Sequence, residues 1–502
     1  MNKTAHHNKD HCFLFVLLAT CILSASGLGQ PLVAQNQVNI IEADQIQGGS
    51  YQGERVQKIL GNVHLRSKNL EMFCDSAYKY VNKSEIRAFG NIQVNTETEK
   101  IWADSLTYFT DVDFSQLRGR VIIEADSTVL FGNKVDYRFT TKIAHFLDEI
   151  RLEDQRGTLL ANSGFYYRKA DSAVFRGKVQ LADSLQYLEG DSLFSNRQTD
   201  YYELYGDIYG NDRENDSMIQ GNYLEADSTG RRLLTGREAW LKSFESDTTD
   251  STQADTTHIR AKKILSLEER TARDTSAIVF GYDSVRIWSP NFSSVSDTSK
   301  YNNKTDTFEL WSKAKAWYQQ VQLSGPYIQA KLKDGDIDSL KSYPQPFSVQ
   351  QDTAINRLNQ ITGDTLHADF EEGSLNQIYV FGNSHLLRFT KNDKDEPDGA
   401  VDLTAPNIRI FFEDGELVEM KAMGPVNGSY LPETEKTAKR RLDGFTWNPK
   451  LRPKRPNKPM QRRFPPVTNE LFFELPQRYI EHLREKHPED DKLQTIRKTK
   501  SS

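Results

Sequence analysis

The residues best placed to do chemistry in this chain are acids set at a fixed step. Asp75, Asp104, Asn133, Asn162 and Asp191 follow one another at intervals of 29 residues. A carboxylate fixed beside an apolar wall can act as a general acid or base, and some stacked β-folds use such groups to cleave sugars. The column does not behave like a catalytic set. Two of its five members are Asn, whereas a catalytic acid is unique and not interchangeable. Asp and Asn share the ability to close turns, and that is the property the column preserves. Histidines 64, 145, 258, 367, 385, 482 and 487 are scattered without metal-ligand spacing. There is no phosphate-cradling glycine loop and no nucleophile elbow. Trp102, Tyr108, Tyr137 and Trp288 read as strand packing. The expectation is a protein without catalysis, cofactor or metal.

What positions the acids is a second set of columns. Glycine stands at 61, 90, 119, 177 and 206, with Asp148 in the one vacant place. Two residues after each comes Val63, Ile92, Val121, Ile150, Val179 or Ile208, all β-branched. Four residues after come Leu65, Val94, Ile123, Leu152 and Leu181, before Gly210 breaks the series. The residue directly after each is polar throughout, from Asn62 and Asn91 to Arg120, Glu149, Lys178 and Asp207. Apolar side chains at every second position mark a half-buried strand, and β-branched residues suit its pleat. Each unit therefore reads as two strands and two turns. One unit cannot bury its apolar face alone, so the units must stack. The expected fold is all-β, an elongated sheet folded over an apolar interior.

Composition sets the outer bounds. The chain has 502 residues, 37% of them hydrophobic, with a net charge of -6. Eleven Lys and Arg between Lys436 and Arg463 face a single acid, Asp443, so the remainder is distinctly acidic. An acidic body argues against nucleic acid as a partner. The start carries Lys3 and Lys9 before the apolar run Cys12–Leu23 and small residues Ser24–Gly27, the layout of a secretory leader. Cleavage after Ser26 or Ala34 fits, and Leu18-Ala19-Thr20-Cys21 offers a lipoprotein alternative. Without the leader only Cys74 remains, too few for an internal disulfide.

The chain then divides into a leader over 1–34, a first module over 36–242 and a Ser/Thr/Asp-rich linker over 243–257. A second, degenerate module over 258–432 repeats the vocabulary with the 29-residue step lost. The basic, proline-rich tail over 433–502 is expected to be largely disordered, with a short helix at Gln477–Lys486. Its charge suits anionic lipid head groups or a protein partner, and a solvated tail needs neither.

Pieces such as Ala103-Asp-Ser-Leu-Thr-Tyr108, paired with Gly61–Leu65 and Gly90–Val94, resemble the OstA-like family of lipopolysaccharide-transport proteins. The resemblance covers the first module well and the second loosely. It implies an open, V-shaped β-jellyroll in two tandem modules, in the periplasm, whose apolar inside holds the acyl chains of lipopolysaccharide. On that footing the lining is Val63, Leu65, Ile92, Val94, Val121, Ile123, Ile150, Leu152, Val179, Leu181 and Ile208. It also implies end-to-end strand pairing with other OstA-like transport proteins. The segment Val38, Asn39, Ile40 and Ile41, apolar and free of Lys or Pro, is the expected joining edge. The length and the basic tail depart from the family pattern. A secreted structural solenoid or adhesin is the alternative, separated from a lipid carrier by whether the interior is open.

Overall fold

The computed structural model of the chain describes residues 37–486 apart from 69, 245–255, 271–274, 334 and 414–415. The expected leader with Cys21, most of the expected linker and the last sixteen positions of the tail therefore lie outside the described residues. The 30 strands of the described residues belong to one antiparallel sheet. They pair in chain order, from Asn39–Glu42 at one edge to Glu416–Met423 and Asn427–Pro432 at the other. Some rungs are split in two. Ile143–Phe146 and Ile150–Asp154, for instance, are halves of one rung lying on Thr128–Arg138. Each 29-residue unit supplies two rungs, as its columns require.

The glycine column is where every second rung turns a corner. Gly90 and Asn91 both take left-handed backbone, at φ 75° and 46°. Together with Cys74 and Asp75 opposite, they interrupt the register between Phe73 and Ser76, which is a bulge that bends the strand. The Asp column closes the corner from the neighbouring rung. Asn91 Nδ2 donates to Asp75 Oδ2 at 2.9 Å, and Arg120 Nε to Asp104 Oδ1 at 2.9 Å. The acids are corner clasps; at Asn162 the backbone N–H holds the corner instead, donating to Gly177 O at 2.8 Å.

Bending at a common line folds the sheet so that its two arms face each other. The six β-branched residues after the corners are all buried in one core cluster. Facing them is a column the sequence reading passed over: Ile59, Ala88, Leu117, Phe146, Phe175 and Leu204, two before each corner and equally buried. Small residues on alternate rungs make room for it, as Gly132 does against Phe146 and Gly164 against Phe175. Each such aliphatic side chain contributes roughly 1.5–3 kcal/mol on burial.

The sheet does not break between the expected modules. Arg231–Phe244 pairs with Thr256–Arg270 from Phe244↔Thr256 to Arg231↔Leu267, so the two halves share one continuous ladder. Nor is the repeat wholly lost beyond it. Asp283–Ser284 and Ser312–Lys313 are left-handed corner pairs 29 residues apart, hidden because neither contains glycine.

The tail corrects the expectation of disorder. Residues 433–486 run back along the outside of the sheet. Gln360 and Gln322 clamp its backbone, each accepting one N–H (Leu442, Asn448) and donating to one carbonyl (Arg440, Thr446). Met460 packs on Tyr209 and Trp240. The helix Gln477–Lys486, as expected, seats Tyr479 against Trp102, with Ile122 and Phe131 beneath. The reason lies on the strands. The outward stripe three residues past the corners contains Ile122 and Tyr209, and its neighbouring rungs add Trp102 and Phe131. Such a patch is too apolar to face water, so the tail's hydrophobic residues cover it despite their basic surroundings.

Candidate functional site: the interior groove

The groove is built by the columns and widens along the chain. Over the first five units the arms meet. Val63, Leu65, Ile92, Val94, Val121, Ile123, Ile150, Val179 and Ile208 are at most 2% exposed, and Leu152 is 6%. Leu181 is the first member only partly buried. All eleven thus lie together on the interior face, packed by the chain's own side chains.

Past Leu181 the interior holds a cavity of about 380 Å³, within the usual size of ligand pockets. Its walls are Leu188, Tyr202, Ile219, Leu224, Leu234, Leu241, Ile259, Ile264 and Val279, contributed by both arms. The polar part of the lining includes Gln186, Asn211, Ser217, Ser243 and Thr257, with Arg232, Ser266, Glu268 and Asn303, and the cavity is partly open to solvent. Arg232 Nη1 lies 3.4 Å from Glu268 Oε2. Burial raises the pKa of the Tyr202 phenol, partly offset by Arg232. The sequence reading missed these residues because the strict columns end at Gly210, where the cavity begins. Gly210, which lines the cavity, stands where earlier rungs carry Leu65, Val94, Ile123, Leu152 and Leu181.

Elsewhere the titratable groups serve the scaffold. His258 sits under the tail, accepting from Trp240 Nε1 at 3.1 Å; burial and the nearby Lys242, Arg260 and Arg455 push its pKa down to about 4. Burial raises the Cys74 thiol to about 12, leaving it unreactive. Among the described residues no cluster of three or more His, Cys, Asp or Glu could hold a metal ion. No described helix is long and apolar enough to cross a membrane.

The expected joining edge is the first rung. Asn39–Glu42 pairs on one side only, with Ile40 opposite Leu65; Asn39 and Ile41 are exposed. Val38 is buried and its carbonyl accepts from Lys79 Nζ. Gln45–Tyr51 continues the same rung and is exposed along almost its whole length. The far edge is also uncovered, with Val418, Met423 and Tyr430 exposed, because the tail turns onto the outer face instead of blocking it.

Residues 35–191 match the family model described as OstA-like protein. No curated protein matches the chain. The match spans the first four glycine corners and stops at Asp191, just as the interior begins to open. Residues 35–191, with their clasped corners and packed arms, are thus similar to the OstA-like family over about a third of the chain.

Proposed function

We propose that this is a periplasmic, non-enzymatic bridge protein that binds lipid and takes part in lipopolysaccharide transport and outer-membrane assembly. The observation that carries the reading is an apolar cavity inside the folded sheet, continuous with the columns of an OstA-like domain. An acyl chain entering it gains about 0.8 kcal/mol per buried CH₂. The cavity rows hold the lipid first. The packed columns from Val63 to Ile208 pass it on when the arms part. A filled interior over the first five units favours the second reading, a structural solenoid, and the same experiment separates the two.

Photo-crosslinking residues placed at Ile219 and Leu241 should capture lipopolysaccharide in cells, with weaker capture at Ile123, Leu152 and Leu181. Positions Arg120 and Lys178, beside the corners, should capture none. Capture that does not distinguish cavity from outer surface would sink the lipid reading and leave the solenoid.

The joint to a partner module is the first rung, by strand addition. Asp44 donates its N–H to Gly61 O, so strand alternation turns the N–H of Gln47 away from the sheet. Gln47→Pro should remove one outward donor, weaken pull-down of the partner by roughly fivefold and leave melting unchanged, in line with about 1 kcal/mol per hydrogen bond. Undiminished pull-down by this variant would move the joint elsewhere.

A further inference from the structure

Most glycine corners carry their own partner for the clasping acid. Asn62 donates to Asp44, Asn91 to Asp75 and Arg120 to Asp104. At the Gly206 corner this rule fails, because the residue after glycine is Asp207. Its backbone N–H reaches Asp191 Oδ2 at 3.4 Å, and its side chain adds a second carboxylate to the first. The corner borders the cavity, since Tyr202 and Gly210 on the same rung line it.

The missing cation comes from the tail. Arg463 Nη1 lies 2.8 Å from Asp191 Oδ1 and 3.9 Å from Asp207 Oδ2. Its backbone N–H donates to Glu189 Oε1 at 2.6 Å, and the next N–H, of Phe464, to Glu189 Oε2 at 3.3 Å. Glu189 is fully buried, so its charge depends on these donors, on the Tyr187 hydroxyl at 2.6 Å and on the nearby guanidinium. One tail residue thus meets three carboxylates on two adjacent rungs.

We propose that Arg463 is the displaced partner of the Gly206 corner, and that the tail is a strap keyed there to hold the rungs beside the cavity. This goes beyond the lipid reading and does not require it. The rungs around the cavity lack a filled interior, and the strap supplies from outside part of the order that packing supplies elsewhere. The segment that docks is this chain's own residues 460–468, which are held at both ends of the stretch. Met460 packs on Tyr209 and Trp240, and Arg151 Nη1 donates to Thr468 O at 2.7 Å.

The test is amide hydrogen exchange on the full-length protein without lipid. Arg463→Ala should speed exchange in Gln186–Asn196 and Tyr201–Asp212 by roughly tenfold, the size expected for lost hydrogen bonds to charged groups. Exchange in Glu85–Asn95, whose corner is self-sufficient, should not change. In an Asp207→Asn background, where the corner regains an amide partner of its own, Arg463→Ala should speed exchange less than threefold. Equal effects in both backgrounds, or no effect in either, would overturn the assignment. If Arg463→Ala does not fold, Arg463→Lys, which keeps the charge and loses the fork, serves in the same pair of backgrounds with a smaller expected ratio. Because lipid is absent throughout, a failed crosslinking experiment and a failed exchange experiment remain distinct.

Discussion

Ile150→Asp should leave no folded array at growth temperature, whereas Leu241→Asp should fold and lose lipid capture. Ile150 is 1% exposed between two packed arms, with Ala161 and Gly132 as its strand neighbours. A carboxylate there has neither water nor a cation, and such a group costs more than about 4 kcal/mol in a dry core. That is a large share of the roughly 5–15 kcal/mol that holds a typical domain. Leu241 lies on the cavity wall and is only partly buried. An acid at that point can be hydrated through the partly open cavity, so we expect a loss within about 1.5 kcal/mol. Thermal melting and crosslinking on both variants check the pair. An Ile150→Asp protein that melts like wild type would mean that the arms part readily in solution.

The second large effect is at the corners. Gly90→Ala should cost about 2–4 kcal/mol, from left-handed strain and loss of the clasp. The added Cβ would collide with the Asp75 carboxylate and separate it from Asn91. Gly48→Ala is the control, for nothing lies within 4 Å of its Cβ position and its backbone is not left-handed. It should stay within about 0.5 kcal/mol of wild type in denaturant melts. Among the first six rows, one lacks the glycine. At Asp148 the rung breaks into two short strands, and the acid accepts a bond from Lys134 N instead of closing a corner. A Gly90→Ala protein as stable as wild type would leave the corners as mere punctuation.

The columns made most of this architecture legible. A constant step carries both the strand phase and the bend, so the sequence alone places Val63 to Ile208 on one face. The facing column from Ile59 to Leu204 was equally periodic but varies from Ala to Phe, and the eye follows chemistry before phase. The corners at Asp283–Ser284 and Ser312–Lys313 escaped because glycine was taken as their mark, while the backbone there accepts other residues. The cavity was illegible for a different reason: it arises where the pattern lapses, and a lapse looks like decay. The tail was misread from charge and proline content, which describe Lys450–Pro459 but not the anchors Leu442, Met460 and Tyr479 around it. Its docking stripe was visible in Trp102, Ile122 and Tyr209, three large apolar residues at positions that should face water.

The strap also sets an order of events in folding. The rungs pair with their sequence neighbours, so each contact closes a short loop and the sheet can grow by local steps. The tail is the opposite case. Lys486 and Glu124, which meet at the end of the helix, are 362 residues apart in sequence. Contacts with so long a closure form last, after the rungs they span already exist. Interactions absent from the transition state leave the folding rate alone and slow the reverse reaction. The tail therefore acts as a late latch: it contributes little to how fast the array assembles and much to how seldom it comes apart.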